Sequence, residues 1–479
     1  MLHTRHPARV APALLAVGLL AGCAAPAIDA NVAAARAELR ERGGGADFRW
    51  LTSDAARAQA RADVAAALAP PLTEDAAVRI ALAYNPALQA TLFERAGESA
   101  AATQGARLPN PVFAFERLAS GGGASQLEIT RALTLPLLDV LLLPARTRQA
   151  DATQQRLQLQ LAADVLGCAA DARKAWVGAV AARQSAVYAS QVAEAAAAGA
   201  ELARRMEAGG NFSALQRARE EAFGADTAIA LARARRAERV TREALVRALG
   251  LDATQAAALT LPERLPELPA AAPPTDAATA QAALDARLDL RIARARLERL
   301  ARAQGLTRVT SVVDGLTLGV ERRDQTGQPR EHGLALSVPL PVFDSGDAAR
   351  AGAAAAYEEA LARTAAVAVA AASQLRLAEA DVRETWTLAT DLRDRLVPLR
   401  ARIVDENLLR YNGMLASVFE LLADAREQAG AVQQAIAAQR DFWLADAALQ
   451  NALLGPPAPR DEALRADSAN NDPFTGDAR

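Results

Sequence analysis

The sequence predicts a mainly α-helical, internally duplicated chain with a small β portion of four strands, and three observations predict it. Ala132-Leu133-Thr134-Leu135-Pro136-Leu137 returns, nearly unchanged, as Ala335-Leu336-Ser337-Val338-Pro339-Leu340. In each copy an alternating, strand-like pattern gives way at the proline to a long helical one. Alanine and leucine dominate the composition and arginine supplies almost all the positive charge, and such an Ala/Leu/Arg/Glu mixture favours long helices and coiled coils.

The first segment is a targeting signal and takes no part in the fold argument. Arg5 and Arg9 precede an apolar run from Val10 to Leu20, the layout of a secretory signal and too short for a mature transmembrane helix. It ends in Leu20-Ala21-Gly22-Cys23, which resembles a bacterial lipobox. Residues 1–22 are therefore expected to be removed and Cys23 to carry acyl chains as a covalent lipid; Ala24 in place of aspartate points to export to the outer membrane. Cys168 then has no partner within the chain, so no intrachain disulfide forms, and its place in Leu161–Cys168 reads as a small buried helix residue.

Residues 23–72 form an alanine-rich lipidated leader with a flexible break expected at Gly43-Gly44-Gly45. The first repeat, 73–255, opens with Thr73 as N-cap of a helix from Ala76 to about Gly105, pausing at Asn85-Pro86 because proline disfavours helical geometry in its predecessor. Pro111–Arg117 and Gln126–Leu133 flank the glycines 121–123 and read as a hairpin. Helical periodicity then holds from about Arg146 to Met206, roughly 90 Å of helix at 1.5 Å per residue. That length favours a coiled coil or a helical barrel. The chain turns at Gly209-Gly210, and Ser213 with Gln216 forms a capping box opening a return helix that Gly250 closes. Residues 256–277 are a proline-rich linker separating the halves.

The second repeat, 278–455, runs the same programme. Ala283–Leu290 echoes Ala81–Leu88. Strands Gly315–Glu321 and Gly333–Val338 flank a polar loop, 323–332. A helix from Gly346 to Arg410, bent late by Pro398, reaches a turn at Tyr411-Asn412-Gly413. Ser417 and Glu420 repeat the capping box, and Gly455 ends the return helix. Asp171-x-Arg173-x-x-Trp176 recurs as Asp381-x-Arg383-x-x-Trp386, in the order an ancestral duplication requires. The tail, 456–479, is expected to be disordered.

Function classes narrow quickly. A formal net charge of −2 gives no reason to expect a nucleic-acid partner. His332 is the only histidine outside the signal and is expected in a surface loop, so a histidine-based triad or a zinc site lacks ligands. The glycine runs have no phosphate-loop flanks. No catalytic residue, no metal ligand and no cofactor is expected, and the protein is not expected to be an enzyme. Four strands cannot close a barrel, yet an open strand edge cannot face lipid. If the strands enter a membrane, several chains must share one barrel, and three chains give twelve strands, enough for a channel. The alternative is a small soluble sheet on a periplasmic coiled coil, an adaptor or scaffold lipoprotein. An adaptor would need a lipoyl-like or small β-barrel domain between hairpin arms, whereas here strand hairpins precede the arms.

The lipobox, Thr73–Leu88 with Tyr84-Asn85-Pro86, the segment Pro341-Val342-Phe343-Asp344-Ser345-Gly346, the Tyr411-Asn412-Gly413 turn and the duplication together resemble the TolC-like outer-membrane efflux factors, lipoprotein branch. The resemblance covers roughly residues 73–455. It implies a homotrimer with a twelve-stranded outer-membrane β-barrel and a long periplasmic α-helical barrel, working as the channel of a tripartite efflux system with a periplasmic adaptor and an inner-membrane pump. It also implies that the helix turns face the adaptor, making Gly209, Gly210, Ser213, Tyr411, Gly413 and Ser417 candidate contacts. Acidic residues in this region line the entrance in the family, so Glu420 and Asp424, four apart on one helical face, are candidate entrance residues. Glu420 doubles as the capping partner of Ser417, and Asp424 has no capping duty. The first copy departs from the family pattern in Leu137–Pro144, where the second has Phe-Asp-x-Gly, so the halves are expected to differ most there. Few aromatics are available for membrane belts, which must rest on Phe113 and Phe115.

Overall fold

The computed structural model describes residues 28–41, 48–121, 126–273, 277–312 and 315–455. The Cys23 acceptor, the Gly43–Gly45 break and the tail lie outside them. The chain divides into two compact units.

The first unit combines the described residues among 28–35, 94–158 and 295–360. Its centre is a sheet of β1 (Val112–Ser120), β2 (Gln126–Pro136), β3 (Thr317–Gln325) and β4 (Glu331–Ser337), antiparallel and in sequence order. The two hairpins come from different repeats and join through β2 and β3, from Glu128 opposite Gln325 to Pro136 opposite Thr317. Pro136 ends the pairing, as expected of a residue with no amide hydrogen to donate. The strands are longer than the alternation predicts, and the polar loop 323–332 shrinks to five residues between β3 and β4. The reason is charge pairing across strands: Arg323 bonds Glu128 at 3.0 Å and Arg131 bonds Asp324 at 2.6 Å, so polar residues stay in the sheet.

The halves diverge at the strand-to-helix junction. In the first copy the helix starts directly after Pro136, not at Arg146, and Pro144 sits inside it. Its first amides, Leu137 and Leu138, both donate to the Leu316 carbonyl, so an early start leaves them satisfied. In the second copy β4 ends at Ser337 and the helix begins only at Asp347. Gly346 there has φ +70°, and a Cβ would lie 2.2 Å from the Ser311 carbonyl oxygen, so the Phe-Asp-x-Gly form needs its glycine.

Helix α1 (Ile28–Glu41) enters this unit through buried Asn31, whose amide donates to Ser99 Oγ at 2.9 Å and whose carbonyl accepts from Gln158. Buried polar groups of this kind hold only when paired.

The second unit combines the described residues among 36–93, 159–294 and 361–455. Helices α2 (Asp54–Leu68), α3 (Glu74–Tyr84) and α4 (Pro86–Gly105) follow α1, and α5 (Leu137–Ala208) and α6 (Ala214–Leu249) complete the first repeat. After the short α7 (Ala253–Ala258) come α8 (Ala277–Ala286), α9 (Leu288–Thr310), α10 (Asp347–Asp391), α11 (Val397–Asn412) and α12 (Val418–Leu454). Thr73 caps α3 as expected, accepting from Ala76 at 3.3 Å. A π-helical turn, Leu392–Leu396, separates α10 from α11 just ahead of Pro398, which has no amide to give the carbonyl four residues back.

The leader and linker belong to the core. Val64, Leu68 and Leu72 pack with Trp176, Val180, Leu245 and Leu249, and Leu259, Leu261 and Leu265 of the linker join them. The linker does not stand free between the halves, because its carbonyls accept the indole hydrogens of the second repeat. Trp386 donates to the Pro269 oxygen at 3.1 Å and Trp443 to the Pro266 oxygen at 3.1 Å. Trp176, the first-repeat counterpart of Trp386, donates to the Leu72 oxygen at 2.7 Å. Burying a tryptophan while its single donor is satisfied is the arrangement physics favours.

Candidate functional site: sheet faces and helix turns

Strand register sorts the side chains of the sheet onto two faces. One face carries the rows Leu135–Leu318–Leu336 and Phe113–Leu133–Val320–Leu334. All seven are exposed, Leu334 to 80%. Beyond them on the same face come Phe115–Arg131–Arg322–His332 and then Arg117–Ile129–Asp324. His332 thus lies on β4 opposite Arg322 and not in a loop, because the strand begins at Glu331.

The other face is mainly small and acidic, with Val112 and Leu118 of β1 as its large apolar side chains. It holds Ala114, Ala132, Thr134, Gly319 and Ala335, and four glutamates, Glu116, Glu128, Glu321 and Glu331, against the single arginine Arg323. Gly319 is closely approached: an added Cβ would meet Thr134 Oγ1 at 3.3 Å. After β4, Leu340, Val342 and a fully exposed Phe343 are further exposed apolar side chains, and Phe343 is an exposed aromatic in addition to Phe113 and Phe115.

A patch this size, open to one side of a sheet whose β1 and β4 edges pair with nothing among the described residues, is rare on a monomer. No described helix is long and apolar enough to cross a membrane, a fact about helices that leaves strands untouched.

In the second unit the helix turns repeat each other. At the first, Asn211 N donates to the Met206 oxygen and Gly210 takes φ +80°. At the second, Leu415 N donates to the Arg410 oxygen and the left-handed residue is Met414 at φ 60°. The glycine of the second turn, Gly413, has φ −81°, so glycine and the left-handed position are out of step by one residue. Tyr411 belongs to the last turn of α11 rather than to the turn itself, as does Asn412.

Both capping boxes form. Ser213 accepts from Gln216 N while its own amide donates to Gln216 Oε1 at 2.7 Å. Ser417 and Glu420 do the same at 3.3 Å each. Glu420 is exposed and acts as a cap. Asp424 does have a duty: its carboxylate accepts the side-chain amide of Asn407 from α11. Phe212 and Phe419 stack between the turns, with centroids 4.7 Å apart.

Two residues near the turns carry contacts that periodicity does not reveal. Glu220 of α6 is buried and accepts from Arg426 of α12 at 2.5 Å, and that guanidinium lies 4.2 Å over the Phe223 ring. Helical spacing identifies faces but not the partner helix.

Cys168 is half-buried against the core, and burial pushes its thiol up to about 12, so it stays protonated and unreactive. A surface cleft of about 360 Å³ is lined by Thr73, Glu74, Trp176, Arg264 and Pro266; Thr73 caps α3, Glu74 pairs with Arg173, Trp176 donates to the Leu72 oxygen and Pro266 accepts from Trp443. Among the described residues no group of His, Cys, Asp or Glu is arranged to hold a metal ion.

No family model matches the sequence, and no curated protein matches it. Solved structures do match the fold. They include the outer-membrane protein VceC of Vibrio cholerae, at TM-score 0.65 and 17% identity over 80% of this chain and 97% of that one. The CmeC outer-membrane channel of Campylobacter jejuni matches at TM-score 0.69 and 14% identity, over 82% and 88% of the two chains. The MtrE outer-membrane channel of Neisseria gonorrhoeae in its open state matches at 0.65 and 18%, over 79% and 88%. The chain therefore shares the fold of these structures: mainly α, with a small four-stranded β portion.

Proposed function

We propose that this chain is the outer-membrane channel of a tripartite efflux system, a passive conduit that carries substrates from periplasm to exterior. The observation that supports it best is the sheet: one face with open apolar rows, one mainly small and acidic face, and two edges unpaired among the described residues. Such a sheet is satisfied when it becomes one third of a closed barrel, with β4 of one copy antiparallel to β1 of the next. Three copies give a twelve-stranded homotrimer whose apolar face meets outer-membrane lipid.

In this reading Cys23 is the lipid anchor, and the long helices hang in the periplasm. The turns at Gly209–Ser213 and Tyr411–Ser417 dock a periplasmic adaptor that joins the channel to an inner-membrane pump. Glu420 and Asp424 ring the entrance and favour cations. The capping box makes the test clean, since the Ser213–Gln216 pair shows that glutamine caps equally well. Glu420→Gln removes a charge and keeps the helix start, and Asp424→Asn can still accept from Asn407. Purified protein in planar bilayers is expected to give discrete conductance steps with cation preference reduced in both variants. No conductance overturns the channel reading; unchanged selectivity overturns the entrance role.

A further inference from the structure

Asp324 on β3 is ringed by guanidinium groups. Arg131 approaches it at 2.6 Å, Arg322 at 3.3 Å and Arg330 at 3.4 Å. Arg117 stands in the same cross-strand row, two positions from Asp324 through Ile129. One carboxylate offers about four acceptor sites, whereas each guanidinium brings about five donors. Three arginines around one aspartate, with a fourth two strands away in the same row, therefore leave donors and positive charge in surplus on this face. The surplus is local, since the whole chain is at −2 and the opposite face of the same strands has four glutamates to one arginine. The strands separate their charges by face, and mutual repulsion among the arginines favours an anion to complete the cluster.

The neighbouring rows identify the anion. Phe115 shares the row of Arg131 and Arg322, and Phe113, Leu133, Val320 and Leu334 form the next row on the face. Residues two apart along a strand are about 7 Å apart. A ligand here would present phosphate to the arginines and hydrocarbon to the rows beside them. Guanidinium groups hold phosphate bidentately, with geometry an ammonium cannot match.

We propose that Arg117, Arg131, Arg322 and Arg330 form a docking surface for phosphorylated lipid headgroups, fixing the depth of the barrel in its membrane. The inference rests on the reading of this face as lipid-facing. The cluster marks the level at which acyl chains end, and the apolar rows mark the level at which they pack.

Native mass spectrometry of the full-length, detergent-extracted protein tests it, because one spectrum reports both subunit number and bound lipid. Diphosphoryl lipid A is expected to be retained roughly tenfold over phosphatidylcholine, as charge-assisted hydrogen bonds require. Arg131→Gln with Arg322→Gln should bring it down to the phosphatidylcholine level. Because those two also hold Asp324, the pair Arg117→Gln with Arg330→Gln provides a second test that keeps the Arg131–Asp324 bond, and several-fold weaker retention is expected. Asp324→Asn should strengthen retention. Equal retention of the two lipids, full retention in both double variants, or displacement by millimolar inorganic phosphate overturns the lipid site. Trimers without selective retention overturn this inference alone; monomers without retention overturn the channel reading as well.

Discussion

Phe212 and Phe419 stack across the two helix turns, tilted by only 30°, and so tie the tip of the first repeat to that of the second. Each comes close to its capping serine, Phe212 one residue before Ser213 and Phe419 two after Ser417. Phe419→Ala should cost about 2–3 kcal/mol, less than the roughly 3–5 of a fully buried aromatic because its site is half open. Thermal unfolding measures it, and a variant as stable as the parent would mean the turns are not coupled.

Met414 should be improvable. It is 95% exposed and holds φ 60°, a left-handed backbone that side chains resist. Met414→Gly should stabilise the turn by about 1 kcal/mol. A lower melting temperature would show that the methionine side chain makes a contact worth more than the strain.

Asn85 and Arg287 do equivalent work in the two repeats. Asn85 donates to the Ala248 oxygen at 2.7 Å while accepting from the amides of Ala87 and Leu88. Arg287, 1% exposed, donates to the Ala452 oxygen and to Gln374, and pairs with Asp289 at 2.7 Å. Each binds the C-terminus of its return helix just before Gly250 or Gly455, both left-handed. Arg287→Leu strands the half-buried Asp289 carboxylate and the Ala452 carbonyl, and should cost about 3 kcal/mol in denaturant unfolding. Gly250→Ala should be damaging too, since its Cβ would fall 2.3 Å from Pro86 Cδ.

Stability should also respond to pH through Arg173. It bonds Glu74 at 2.6 Å and donates to Gln450, and it is the cation that attracts Asp446. Burial raises the pKa of Glu74 and of Asp446 above the ordinary carboxylate value, against the pull of Arg173. A carboxyl group with a raised folded pKa takes up protons on folding. Its stabilising contribution is complete below the unfolded value, about 4, and is lost as pH rises through the folded one. Arg173→Gln removes the opposing attraction, so both carboxyls shift further up. The variant should lose about 1–2 kcal/mol at pH 7, the pair being partly exposed, and regain part of that by pH 5. A pH-independent deficit would contradict the linkage.

Much of this architecture was legible in the sequence because duplication shows each signal twice. Pro136, the capping serines and the closing glycines sit where local chemistry demands them, and the structure has them there. Tertiary partners were not legible in the same way. Arg287 stands where the echo of Ala81–Leu88 places Asn85, and that offset was the one available clue to its role; nothing local marks an arginine as buried. The early start of α5 depends on the Leu316 carbonyl, a contact between repeats that no window around Pro144 contains. Likewise, the charged rows of the sheet extend strands that alternation alone ends too soon, because Asp324 finds its arginines across the ladder.

The central claim is that β1 and β4 are closed by neighbouring copies. Cysteines at Ala114 on β1 and Ala335 on β4, bridged by a short bis-maleimide in intact outer membranes, test it directly. Cys168, with its thiol held protonated near pH 7, should not compete. The account predicts covalent dimers and closed trimers only when both cysteines are present. Monomers alone, from well-folded protein, would contradict it.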